Sequence, residues 1–224
     1  MNRRVRWGVG AVSAAVLVMG AALFFGWEEP LPANFDSIRA APSFQDPALL
    51  ERGWAQSTYP RPLLSQRNPS SCGPTSVANV LRSAGGASTP EEVAEHGAGC
   101  LGGFCFGGLT LAQLAEATRA TAPGWEVTEV RPASVEAFRE ELRHLATEPA
   151  RRLIINFHRR PLFGAGGGHH SPVGSYLDAE DLVLVLDVNE RFGPWLVSSA
   201  RLFEAMDTVD PASGQQRGLL RLAR

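Results

Sequence analysis

One isolated cysteine, five histidines and a carboxylate inside an apolar run are the residues of this 224-residue chain that could together perform covalent chemistry. Cys72 sits in a turn of small residues, Ser70, Ser71 and Gly73, that leads into Pro74. Proline suits a first helical turn, where its missing N–H would have no acceptor anyway. Val77, Val80 and Leu81 recur at helical spacing and Gly85-Gly86 stops the run, which predicts a helix beginning at the cysteine. A thiol there faces unpaired N–H groups and the positive end of the helix dipole, both of which favour the thiolate. A lone cysteine opening a helix is nevertheless more often a small buried hydrophobe, so its partners decide the matter.

A cysteine nucleophile needs a histidine to exchange protons with it and a group that orients the imidazole. His96 and His144 fall on helical patterns that read as solvated, and His158 ends a strand beside Arg159 and Arg160, a surface pattern. His169 and His170 follow Gly166-Gly167-Gly168 and open a strand, where a loop edge meets a cleft. Asp187 interrupts L-V-L-V-L-D-V, and a carboxylate in such a run is costly without a partner. Side chains alternate along a strand, so a two-residue hairpin loop would place Asp187 opposite Pro172, on the face of His170. A three-residue loop would place it opposite Ser171, on the face of His169. Periodicity does not choose between them. No third ligand accompanies the histidine pair, and Cys100 and Cys105, in C-L-G-G-F-C, lack the second pair that a zinc site needs.

The supporting elements read as helices first and strands second. Ser88-Thr89-Pro90-Glu91-Glu92 has the pattern of a capping box, and Thr110 with Gln113 repeats it at the head of a helix through Ala120. Trp125–Val130 alternates like a strand, and Ser134–Thr147 carries Val135, Phe138, Leu142 and Leu145 on one stripe. Leu153–Phe157, Ser171–Leu177, Leu182–Val188 and Gly218–Leu222 read as strands, with a Gly loop from Phe163 to Gly168 and a helix over 198–206. Helices followed by an antiparallel sheet predict an α+β fold.

The N-terminus differs in character. Arg3, Arg4 and Arg6 precede an uncharged stretch from Trp7 to Trp27, long enough to cross a hydrocarbon core of roughly 30 Å. The expectation is a cytoplasmic stub at 1–6, a transmembrane anchor at 7–27, a Pro-containing spacer at 28–45 and a catalytic domain at 46–224. A cleaved signal peptide ending near Gly20-Ala21-Ala22 is the alternative, and the domain would then be secreted. Either way the domain lies outside the cytoplasm, where Cys100 and Cys105 could form a disulfide. A net charge of -2 with mixed signs gives no basic face for nucleic acid.

The elements Q-x5-C-G-P-T-S, G-H-H-S-P-V-G-S-Y, L-V-L-D-V, R-F and L-F-E-A-M-D, in this order over roughly 60 to 218, resemble the phytochelatin synthase family. The resemblance implies a papain-like fold and action on glutathione through a Cys-His-Asp triad. It maps the nucleophile to Cys72, the base to His169, the orienting acid to Asp187 and the oxyanion-hole glutamine to Gln66. Arg191 resembles the family's substrate-binding arginine, shifted by one residue, with Gly168 and Ser171 beside the base as further substrate contacts. The implied reaction attacks the Cys–Gly bond of glutathione or a related γ-glutamyl peptide and leaves a γ-glutamylcysteinyl thioester on Cys72. No cofactor is required for hydrolysis, and heavy-metal ions such as cadmium or zinc enter only as glutathione thiolate complexes.

Three departures tilt the expectation from chain building towards hydrolysis. Ser71 stands where the family usually has an aromatic residue that helps form the second-substrate site. The sequence shows no Cys-rich C-terminal extension, and an extracytoplasmic domain would meet little glutathione. The rival expectations are a papain-like peptidase of other specificity, such as one trimming leaders after glycine, and an inactive anchored binding module.

Overall fold

The computed structural model describes residues 44–224; the anticipated anchor at 7–27 and most of the 28–45 spacer lie outside the described residues. No helix among the described residues is long and apolar enough to cross a membrane. In chain order the elements are α1 (Pro47–Ala55), α2 (Cys72–Ser83), α3 (Pro90–Glu95), β1 (Cys100–Leu101), β2 (Phe104–Cys105), α4 (Leu111–Thr121) and β3 (Glu126–Val130). They continue with α5 (Val135–Thr147), β4 (Arg152–His158), α6 (Arg159–Phe163), β5 (Gly168–Leu177), β6 (Leu182–Leu186), β7 (Pro194–Ser198), α7 (Ser199–Met206), β8 (Val209–Asp210), β9 (Gln215–Gln216) and β10 (Leu219–Ala223). The α+β expectation holds.

The helix starts are where the sequence places them. Thr89 and Thr110 each accept from the backbone N–H three residues on, and Glu92 and Gln113 return the bond to the caps, so both capping boxes form. Helix α2 begins at Cys72 itself, and its first ten residues are buried. The central sheet has six strands in the order β3-β10-β4-β5-β6-β7, each pair antiparallel. Alternation along these strands divides the apolar side chains into two cores. One gathers Ile154, Leu184, Leu186 and Leu220 with residues of α2, α3 and α4. The other gathers Ile155, Phe157, Val185, Trp195 and Leu219 with residues of α5, α6 and α7.

The hairpin between β5 and β6 settles the register that periodicity left open, and it does so by neither loop length. Leu177 pairs with Leu182 next to the turn, but Val173 pairs with Val185, with a bulge between Val173 and Ser175. The extra residue reverses the parity of β5 below it, as a bulge must. Continued past Val173–Val185, the register sets Asp187 against Ser171 and so on the face of His169. Gly174 sits in that bulge, and a Cβ there would lie 2.9 Å from Cδ2 of Leu184 and 3.1 Å from Cδ2 of Leu186.

Four further features differ from the sequence expectation. The chain is already packed at Phe44, which stacks on Trp195 with ring centroids 5.6 Å apart, ahead of the anticipated boundary at 46. Helix α1 and strand β7 give no clear periodic signal. The Gly loop begins with helix α6, closed by Gly164 in the left-handed region. The 178–181 turn holds a short 3-10 segment, Asp178–Glu180, with Asp181 at φ 52°. Asp181 has a reason to stay there, because its carboxylate accepts from Tyr176, Ser199 and Arg139.

Gly174→Val should therefore cost about 1–3 kcal/mol, the range for inserting methyl groups into a packed core. A lowered urea midpoint at unchanged slope would register it; an unchanged midpoint would show that the bulge tolerates a side chain.

Candidate active site

The side chains singled out by the sequence converge at the end of the sheet where β5 starts. Cys72 is 6% exposed, His169 5% and Asp187 4%. Nε2 of His169 lies 2.9 Å from Oδ1 of Asp187. Sγ of Cys72 lies 3.9 Å from Nδ1 of His170, and His169 acts on the thiol electrostatically while holding the carboxylate. With an ionised acid on Nε2, that nitrogen carries a proton and Nδ1 is left for the thiol. His96 is exposed and His144 pairs with Glu148 at 2.8 Å, so neither takes part.

Asp187 is held by more than the histidine. Arg159 approaches both carboxylate oxygens, at 3.0 and 2.9 Å. Trp195 Nε1 donates to Oδ2 at 3.1 Å, and the backbone N–H of Asn189 donates to Oδ1 at 2.9 Å. Burial alone would raise this carboxyl, but the charges of Arg159 and His169 outweigh it and hold the group well below the usual carboxylate range. Arg159, which the sequence places on the surface beside Arg160, is 2% exposed. Its guanidinium lies 3.7 Å from the centroid of Phe192, a cation–π contact. His158 caps the helix that carries it, Nδ1 accepting from the N–H of Arg160. Two successive arginines look solvated in a sequence; the single signal was the short spacing from His158 to the Gly run.

Opposing effects tune the reacting pair. Burial pushes the Cys72 thiol up, yet the hydrogen bonds and fields of His169 and His170 bring it well below an ordinary cysteine. Burial and the Arg159 charge pull His169 down, while Asp187 and the bond to Cys72 prevail and raise it. A thiolate beside an imidazolium is the resting state these shifts favour.

Gln66 reaches the same region by its backbone, N–H donating to the carbonyl of Val188 at 2.8 Å, one residue past Asp187. The preceding Leu64 is pinned to α2 by both amide atoms of Asn79. The Gln66 side chain donates from Nε2 to the Asn68 carbonyl at 3.2 Å, and its Oε1 is buried without a partner. The N–H of Cys72, the first residue of α2, has no acceptor within the helix. Ser71 is 4% exposed and turns its hydroxyl to the Asn68 carbonyl. The turn is braced from outside by the β1–β2 hairpin, in which Cys100 and Cys105 are joined by a disulfide. Cys105 N–H donates to Oγ of Ser70 at 3.0 Å and Asn68 Nδ2 donates to the Gly103 carbonyl at 3.1 Å.

The anticipated substrate contacts separate. Gly168 packs on a buried guanidinium: a Cβ there would lie 2.6 Å from Nη1 of Arg217. Ser171 is fully buried in the sheet and its hydroxyl has no hydrogen-bond partner. Arg191 is exposed on the loop after Asp187, its N–H donating to Oδ1 of Asn189. Arg217, Asn156 and Asp210 were not anticipated. Arg217 donates to Oδ1 of Asn156 at 3.1 Å, approaches Asp210 at 3.5 Å and feels the charge of Cys72. The three border a pocket of about 60 Å³ with Arg131, Gln215 and Gln216. No His, Cys, Asp and Glu cluster among the described residues could hold a metal ion.

Known proteins resemble this chain at two levels. In fold it is similar to the peptidase domain of Streptococcus ComA, a bi-functional ABC transporter involved in a quorum-sensing pathway. The TM-score is 0.50 at 17% identity, over 72% of this chain and 96% of that one. Within the papain-like fold this likeness concerns architecture alone. In sequence it is 33% identical over 118 residues to glutathione gamma-glutamylcysteinyltransferase 3 of Lotus japonicus, covering 52% of this chain and 25% of that protein. Glutathione gamma-glutamylcysteinyltransferase 2 of Arabidopsis thaliana is 31% identical over 100 residues, 44% of this chain and 22% of its own length. The Schizosaccharomyces pombe transferase is 33% identical over 94 residues, 42% and 23% respectively. The match thus spans about a quarter of the curated relatives. A family model described as phytochelatin synthase matches residues 105–219, a stretch that holds His169, Asp187, Asp210 and Arg217 and starts after Cys72. With just over half of its length matched by that model, the chain belongs to the phytochelatin synthase family.

Proposed function

We propose that this protein cleaves the Cys–Gly bond of glutathione, or of a closely related γ-glutamyl peptide, through a thioester on Cys72. The observation that carries the reading is the buried His169–Asp187 pair in the same site as the buried free thiol of Cys72, inside a chain of this family. The Cys72 thiolate attacks the carbonyl carbon of the Cys–Gly bond, and the oxygen takes up the negative charge. The N–H of Cys72 and the amide of Gln66, once released from Asn68, are the donors offered to that oxyanion. Protonated His169 gives its proton to the glycine nitrogen as the C–N bond breaks. Glycine leaves, and γ-glutamylcysteine stays bound to sulfur. Neutral His169 then takes a proton from water, whose oxygen attacks the thioester carbonyl. The Cys72 thiolate departs, and free γ-glutamylcysteine results.

The head of such a substrate carries an ammonium and a carboxylate on one carbon. Arg217 and Asp210 offer both complementary charges at the edge of the small pocket. Water as acceptor is favoured by Ser71, whose hydroxyl is committed to Asn68 and which supplies no aromatic surface for a second peptide. Localisation outside the cytoplasm, and anchoring through residues 7–27, belong to the same proposal. Cadmium and zinc take part only as thiolate complexes of the substrate.

Incubating the protein with glutathione should release glycine and γ-glutamylcysteine in equal amounts, without longer peptides. Cys72→Ala and His169→Ala should each abolish release, while His170→Ala keeps a measurable rate. No release by the intact protein would move the reading to a papain-like peptidase of other specificity, and longer peptides on adding cadmium would restore the synthase.

The pH profile follows from the two shifts. The thiolate exists above the depressed Cys72 value and the imidazolium below the raised His169 value, so kcat/KM should be bell-shaped. Its acid limb should lie below the ordinary thiol range and its alkaline limb above the ordinary imidazole range. Asp187→Asn removes the charge that raises His169 and should draw the alkaline limb to lower pH; an unmoved limb would detach Asp187 from the histidine's protonation.

A further inference from the structure

The chemistry just described employs one histidine of an adjacent pair, and the second is equally buried. His170 is 2% exposed, on the face of β5 that packs against α2. Ser76 Oγ lies 2.8 Å from the carbonyl of Cys72 and 3.1 Å from that of His170, so one hydroxyl ties the two backbones together. The ring presents Nδ1 to Sγ of Cys72 at 3.9 Å, a long but workable distance for a sulfur acceptor. Nδ2 of Asn156 lies 2.8 Å from the ring's Nε2 and 3.4 Å from its Nδ1.

The orientation of this ring follows from its neighbours. Arg217 has only donors, so the atom of Asn156 that faces it at 3.1 Å is the carbonyl oxygen. Asn156 therefore turns its NH2 to His170, and Nε2, the nearer ring nitrogen, is placed to accept from it, which leaves Nδ1 to donate to sulfur.

We propose that His170 is a second catalytic histidine: an Nδ1–H donor to Cys72 Sγ, its ring oriented by the Arg217–Asn156 relay. The two histidines divide the work. His169 moves protons during the cycle, whereas His170 offers a donor to sulfur. That donor matters most when His169 is neutral and the thiolate must leave the thioester. The charged groups around this contact are His169 beside it, Asp187 and Arg159 behind His169, Arg217 beyond Asn156, and Asp210 behind Arg217.

The inference rests on Cys72 being the nucleophile, and its test separates the two ideas. Cys100 and Cys105 are bridged, so Cys72 is the free thiol of the chain and iodoacetamide reports on it without any substrate. The alkylation rate of the full-length protein against pH gives the thiol midpoint. His170→Leu should raise that midpoint by about one pH unit, a tenfold loss of alkylation on the acid side. His170→Asn, which can place an amide N–H near the lost Nδ1–H, should recover most of it. A midpoint near the ordinary cysteine value in the unaltered protein would overturn the nucleophile itself. A depressed midpoint that His170→Leu leaves in place would overturn only the role of His170. Should His170→Leu fail to fold, nitrogen NMR of the unaltered ring decides. A proton on Nδ1 supports the proposal; a ring that carries its proton on Nε2 alone rejects it.

Discussion

A single carboxylate, Asp187, sets the terms for the whole site. Buried at 4% exposure, it would cost several kcal/mol left alone. Four donors from four separate segments meet it: Arg159 after β4, His169 on β5, Asn189 on the following loop and Trp195 on β7. A charge satisfied from that many directions fixes the relative placement of the strands that supply the donors. Much of the second core serves as its casing. Phe157, Phe163 and Phe192 surround the Arg159 guanidinium, and Phe163 and Phe44 pack on Trp195. Gly166, at φ +93°, lets the loop pass where a Cβ would lie 2.9 Å from Cβ of Arg159.

The same cluster explains how one site carries opposite charges a few ångströms apart. Arg159 opposes protonation of His169, while Asp187 and the Cys72 bond promote it. The guanidinium therefore moderates the imidazolium that the acid would otherwise over-stabilise, a restraint that would serve the proton transfer proposed for His169. On the other face of β5, Arg217 stands behind Asn156 and His170. Two buried arginines thus bracket the sulfur from opposite sides of the sheet, each acting through an intermediate side chain.

Much of this was legible before any coordinates. The helix at Cys72, both capping boxes, the amphipathic α5 and the paired strands around 178–181 follow from local rules of spacing and turn chemistry. What local rules could not supply was parity. The choice between His169 and His170 depended on Gly174, a residue whose bulge is visible only once Leu184 and Leu186 are packed against it. Arg159 and Arg217 were missed because nothing local distinguishes a buried arginine from a solvated one; both are buried by tertiary partners. Strand β7 was missed because its five residues follow Gly193 and begin with Pro194, a turn signal that hides a short apolar run. Asn156 reads as part of a strand in the sequence, but its meaning lies in what faces it across the sheet.

The position of β10 has a consequence for how the molecule comes into being. This strand, at 219–223, lies between β3 and β4, whose residues precede it by some sixty to ninety positions. Until it arrives, two long neighbours present open hydrogen-bonding edges to each other across a gap. Arg217, immediately upstream, arrives with it. The guanidinium behind Asn156 and His170 therefore reaches the site with the very strand that joins β3 to β4.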